Sequence, residues 1–145
     1  PRLNPFDTSK DAYKAVLALN TYVGNCGLEH SLLELVKLRA SQVNGCAHCI
    51  DMHAKDARKA GETEQRLHLL VAWRESPLFS PRERAALAWT EALTRLADTH
   101  APDSDYDALR AEFSEEEMVK LTVAIGMINV WNRIAVGFRL VHPVD

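Results

Sequence analysis

"ELVKLRASQVNGCAHCIDMHAKDARKAG", Glu34 to Gly61, is the stretch on which the fold class turns. At its centre stands Asn44-Gly45, a hairpin signal when strands flank it. Neither flank alternates as a strand would. Leu32, Leu35, Val36 and Leu38 recur at helical spacing, and Cys46, Cys49, His53 and Ala57 fall three, four and four residues apart. Two helices joined by a tight turn are therefore predicted, with Asn44-Gly45 as the stop of the first.

The same periodicity extends outward. A first helix is expected from a cap at Asp7 or Thr8 to about Tyr22, with Ala12, Ala15, Val16 and Leu19 as its apolar stripe and Gly24 and Gly27 ending it. The second runs from about Leu28 to Val43 and the third from about Cys46 to Ala60-Gly61. Thr63 can cap a fourth, to about Trp73. "SPRE", Ser80 to Glu83, combines an N-cap, a proline at the first helical position and a capping-box glutamate, opening a fifth helix to about Ala97. A short helix near Ser104 to Phe113 follows. "SEEE", Ser114 to Glu117, is a second capping box before a long apolar helix. The expectation is all-α: one domain over residues 1–145, a bundle of about seven helices without linker or repeat.

The 145 residues are enough to bury a core without staples. A net charge of -3 gives no electrostatic reason to expect nucleic acid or an anionic membrane as partner. No basic segment followed by an apolar one opens the chain, so a cytoplasmic protein is expected. "LTVAIGMINVWNRIAVGFRL", Leu121 to Leu140, could suggest a membrane span. Asn129, Asn132, Arg133 and Arg139 interrupt it, and a buried core or oligomer helix is the expected reading. Val123, Met127, Val130 and Ile134 form one stripe of that helix, and Leu121, Ile125, Ile128 and Trp131 another. One stripe can fill the core and leave the other for a neighbouring subunit.

Three cysteines do not make a disulfide framework, and two of them in a Cys-x-x-Cys point to redox or metal chemistry. On a helix, Cys46, Cys49 and His53 share one face, continued by Ala57 and Ala60, whose small side chains admit a neighbouring helix. Cys46 falls at the helix N-terminus, where free N–H groups favour a thiolate. His53 is one turn beyond Cys49, within reach for proton exchange. The stripe suits a thiolate nucleophile with a second thiol to trap its oxidised form. Competing readings stand beside it. Ile50, not histidine, follows Cys49, so c-type haem attachment fails. Zinc wants four ligands, but His48 lies between the cysteines and projects off their stripe, and His30 and Cys26 lack the usual spacing. No strand precedes the motif as a thioredoxin setting requires. Two buried cysteines that merely pack are the bland alternative, and inert packing is the expectation for Cys26. Glu34, twelve residues before Cys46, could face the stripe across the turn. "SLLE", Ser31 to Glu34, is equally a capping-box pattern that would use Glu34 only to start a helix.

Glu34, eleven residues, Cys46-x-x-Cys49, three residues, His53: this pattern resembles the signature of the alkylhydroperoxidase D (AhpD) branch of the carboxymuconolactone decarboxylase-like family. Glu34 to Gly61 resembles that branch almost throughout, and "NVWNRIAVGFR" near the C-terminus is similar to its smaller members. The resemblance implies an all-helical, oligomeric protein, a homo-trimer or homo-hexamer, that reduces organic hydroperoxides with an external dithiol and needs no cofactor. It implies Cys49 as the attacking thiolate, and Cys46 as proton donor and partner in a Cys46–Cys49 disulfide. Glu34 and His53 become a proton relay, and His48 matches a histidine found in some members. The longer AhpD type carries two related helical halves, whereas this chain has one motif-bearing unit. Decarboxylases of the superfamily lack the Cys-x-x-Cys, so the dithiol argues against that activity.

Overall fold

Start and stop signals set the element boundaries in the computed structural model, which describes residues 1–145. Asn4 caps α1 (Pro5–Thr8), its side-chain oxygen accepting from the N–H groups of Phe6 and Asp7. Ser9 leaves helical geometry (φ -137°) before α2 (Lys10–Gly24) begins. The first predicted helix is α2, capped within two residues of the expected position, and α1 is an unpredicted turn that Asn4-Pro5 starts ahead of it. On α2 the buried side is carried by Tyr13, Val16, Leu19 and Val23, while Ala12 and Ala15 face solvent. The predicted hairpin forms from α3 (His30–Asn44) and α4 (Ala47–Lys59), and Gly45 takes the left-handed conformation (φ 65°) that closes the turn.

Thr63 caps α5 (Glu64–Leu69), which tightens into a 3₁₀ segment, Leu70–Glu75. Trp73 turns inward there, and its indole N–H donates to Glu91 at 2.6 Å. The two predicted capping boxes both close, at Ser80/Glu83 and Ser114/Glu117. They open α6 (Pro81–Thr94) and α9 (Glu115–Gly137). Arg95 departs from helical geometry, and Thr99 Oγ1 donates back to the Ala92 carbonyl at 2.6 Å. A separate short α7 (Leu96–Thr99) results, and α8 (Asp103–Glu112) follows. The nine helices and the absence of strands bear out the all-α expectation. The two beyond the predicted seven are α1 and, after the break at Arg95, α7.

α3 is the central helix, packed against α4, α6 and α9. Leu32, Leu33 and Val36 join Leu109, Leu121, Ile125 and Met127 in one core, while Leu35 and Leu38 meet Leu70, Trp73, Phe79 and Leu87 in another. Truncating any of these leucines to alanine costs about 2–5 kcal/mol. Cys26 is a free thiol buried in the larger core. By length and composition α9 could cross a membrane, but Leu121, Ala124, Ile125, Met127 and Ile128 are inside the protein core. Met127 therefore joins the Leu121 stripe in the interior, and Val123, Val130, Trp131 and Ile134 are half-buried.

Two ties position the site. Asn44 donates to the side-chain oxygens of Asn132 (2.8 Å) and Asn129 (3.0 Å), and Asn132 donates to Ser41 Oγ (3.0 Å). These bonds pin the α3–α4 turn to α9. At the chain's start, the Arg2 N–H donates to the Phe138 carbonyl at 2.8 Å and its guanidinium to the Gly137 carbonyl at 3.1 Å. That holds α1 against the end of α9.

Candidate active site

The turn at Gly45 delivers Cys46 to the N-cap of α4. The Cys46 N–H donates to the Ser41 carbonyl (3.0 Å), and Cys46 Sγ accepts the Cys49 N–H (3.2 Å). Cys46 and Cys49 are joined as a disulfide, their Cα atoms 5.3 Å apart. As the spacing predicted, Cys46, Cys49, His53 and Ala57 line one buried face. Ala60 does not continue it: α4 ends at Lys59, and Ala60 is an exposed C-cap.

Glu34 meets His53 across the hairpin, Oε2 standing 3.7 Å from Nδ1. That is beyond hydrogen-bond distance. Its other oxygen pairs with Lys37 Nζ at 2.9 Å. The capping alternative for Glu34 is not what forms. α3 begins at His30 with Glu29 at the cap position, so Ser31 is already in the first turn and makes no cap bond. Burial pushes the Glu34 carboxyl up, but His53 and Lys37 together outweigh it and hold the group below the usual carboxylate range. Glu34 is therefore an anion at neutral pH.

An apolar cavity of about 240 Å³ opens beside Cys49. His48, Cys49 and His53 contribute to its wall, with Asn20 as a further polar group, and Phe6, Tyr13, Leu17, Met52, Trp131, Ile134, Ala135 and Leu140 supply the rest. Cys46 is not on this wall; it packs with Ala135, Val136 and Leu140. Glu34 lines a separate small pocket with Ser31, Ala57 and Gly61, so His53 stands between the cavity and the carboxylate. Both nitrogens of His53, Nδ1 of His48 and Oε2 of Glu34 are buried without a hydrogen-bond partner. Such atoms are rare in native proteins. An imidazole with a carboxylate behind it and a free nitrogen can take a proton from a thiol and give it back.

All five sequence-predicted residues, Glu34, Cys46, His48, Cys49 and His53, fall in this one region. Lys37 was not singled out, although its position three residues after Glu34 on a helix is a signal for the ion pair. Nor was the aromatic wall. Trp131 was assigned to a possible subunit stripe, whereas it packs against Phe6 and Tyr13 of its own chain, with ring centroids 6.4 and 5.9 Å away.

The family model of the carboxymuconolactone decarboxylase family matches residues 10–92, more than half of the chain and the whole of the dithiol hairpin. The chain belongs to this carboxymuconolactone decarboxylase family. Some of the proteins it resembles carry the AhpD name. A crystal structure of ATU0492 from Agrobacterium tumefaciens, a protein of unknown function suggested to be the antioxidant defence protein AhpD, superposes with a TM-score of 0.97. It is 56% identical, and 99% of each chain is covered. The uncharacterized YdfG of Bacillus subtilis is 41% identical over 94% of this chain and 92% of its own length. The alkyl hydroperoxide reductase AhpD of Streptomyces avermitilis is 42% identical over 55 residues, which is 38% of this chain and 30% of that protein. The debrominase Bmp8 superposes with a TM-score of 0.87 at 18% identity over 96% of this chain and 75% of its own, a likeness of fold alone.

Proposed function

We propose that this family member is a thiol-dependent peroxidase that reduces organic hydroperoxides through a Cys46–Cys49 dithiol/disulfide cycle. One observation carries the reading. Cys49 is on the wall of an apolar cavity beside His53, and its disulfide partner Cys46 is one helical turn away, outside that cavity.

In the reduced enzyme, His53 takes the Cys49 proton, and the ionised Glu34 stabilises the resulting imidazolium. The Cys49 thiolate attacks the terminal oxygen of the hydroperoxide and the O–O bond breaks. The sulfur is oxidised to a sulfenic acid, and the departing alkoxide leaves as an alcohol with a proton from His53 or the Cys46 thiol. Cys46 sulfur then attacks the sulfenic sulfur, the disulfide closes and water departs. An external dithiol reduces the disulfide by exchange, becoming a disulfide itself and restoring both thiols. His48 lines the same cavity, and its buried, unpartnered Nδ1 supports a part for it in the proton transfers.

The test is a turnover assay with cumene hydroperoxide and dithiothreitol. Many turnovers per protein are expected from the wild type and none from Cys49→Ser, while Cys46→Ser is expected to hold a sulfenic acid that a dimedone-type probe labels. A single stoichiometric oxidation that then stops would replace the peroxidase with a dithiol sensor. The enzyme is further inferred to work as a homo-trimer or homo-hexamer, the exposed Val119 and half-buried Val123 and Val130 of α9 being the support. A folded, active monomer in light scattering at micromolar concentration would refute that.

A further inference from the structure

We infer that the cavity selects uncharged hydroperoxides with a single-ring or similarly compact branched body, and discriminates against both hydrogen peroxide and carboxylate-bearing hydroperoxides. This rests on the peroxidase reading and concerns the substrate that Cys49 meets. Three observations converge on it.

Size comes first. An apolar cavity of about 150 Å³ holds a benzene ring, so one of about 240 Å³ holds a ring with a few further heavy atoms. A long lipid chain does not fit inside it. The second observation is the wall. Phe6, Tyr13 and Trp131 form a contiguous aromatic cluster, with Phe6 and Tyr13 centroids 4.7 Å apart and both rings edge-on or tilted to Trp131. An apolar substrate body removes this surface from water and gains in proportion to the area buried, and hydrogen peroxide has no such body.

The third observation is charge. No lysine, arginine, aspartate or glutamate lines the cavity, and its polar residues are Asn20, Tyr13, His48, Cys49 and His53. A carboxylate carried into it would lose its hydration with no lysine or arginine to meet it. The hydroperoxide group itself is neutral and is provided for. His53 has both nitrogens without hydrogen-bond partners, and Cys49 is the sulfur it would meet.

The test separates binding from turnover. The oxidised protein is titrated calorimetrically with 2-phenylpropan-2-ol, the product alcohol of cumene hydroperoxide, and with 2-phenylpropanoate as the charged analogue. Saturable binding of the alcohol is expected, with the carboxylate at least about tenfold weaker. In the reduced protein, kcat/KM for cumene hydroperoxide is expected to exceed that for hydrogen peroxide by about 10²-fold. Trp131→Leu and Tyr13→Leu are each expected to lower that ratio and the alcohol affinity about tenfold. Because Tyr13 is on a peripheral helix, its variant stays informative if Trp131→Leu fails to fold. Alcohol binding without turnover of either peroxide would remove the peroxidase reading and keep the cavity's preference. Turnover at comparable kcat/KM for both peroxides, with no saturable alcohol binding, would overturn the inference and leave the peroxidase standing.

Discussion

Glu91 and Glu34 are two largely buried glutamates on packed neighbouring helices, and the protein treats them in opposite ways. Glu91 is saturated: Oε2 accepts from Arg39 Nε (3.0 Å) and Trp73 Nε1 (2.6 Å), and Oε1 accepts from Arg74 (2.7 Å). Glu34 is under-filled. Lys37 holds one oxygen, while the other faces His53 at 3.7 Å without a hydrogen bond. A buried carboxylate with every direction filled joins α3, the 3₁₀ segment and α6, and has nothing left to offer a substrate. One left short of partners, behind a histidine equally short, keeps capacity for a proton in transit.

Substitution should therefore separate the two by what is lost. The largest effect is expected at the relay. Glu34→Gln and His53→Gln should each lower the peroxidase rate by about 10²–10⁴, with chemical-denaturation midpoints close to wild type. If Glu34→Gln unfolds the protein instead, the contrast between the two sites fails. Next comes Glu91→Gln, which leaves the buried Arg39 guanidinium without its counter-charge and should destabilise by about 3–5 kcal/mol. The rate per folded molecule should stay near wild type; a large loss there would tie Glu91 to the chemistry.

Acid should act on both carboxylates. Burial pushes each up, and the surrounding groups outweigh it: Arg74, Trp73 and Arg39 for Glu91, His53 and Lys37 for Glu34. With folded pKa values below the unfolded one, near 4.3 for glutamate, their stabilisation is complete above that pH. It is lost as pH falls through the folded values. Thermal midpoints followed downward from pH 6 should hold and then drop below about pH 4, and Glu91→Gln should flatten the drop. Stability rising with acid would contradict both assignments. The smallest effect belongs to Lys37→Met. It should change stability by no more than about 1 kcal/mol, yet raise the Glu34 pKa and so move the acid limb of the pH–rate profile upward.

What could be read without coordinates was what local chemistry encodes. The capping boxes at Ser80 and Ser114, the Asn44-Gly45 stop and the Cys46/Cys49/His53 stripe are each settled within one or two helical turns, and each forms. Ser31 shows the limit of such signals. The capping-box pattern through Glu34 is intact in sequence, but the chain enters helix at His30, and Glu34 is left free to face α4. The break at Arg95 is invisible because the helical periodicity runs through it. The Trp73–Glu91–Arg39 cluster and the meeting of Phe6 with Trp131 join residues far apart in sequence, and no local periodicity carries that information.

The tie between Arg2 and the end of α9 gives the molecule a division of labour along its length. The cavity's dithiol sulfur and histidine stand on α4, whereas Phe6 and Trp131 reach it from α1 and α9. An aromatic on α1 or α9 can thus be exchanged to change the shape of the cavity without touching the sulfur chemistry on α4. Exchanging those two rings would be a direct route to new specificities on an unchanged reactive centre.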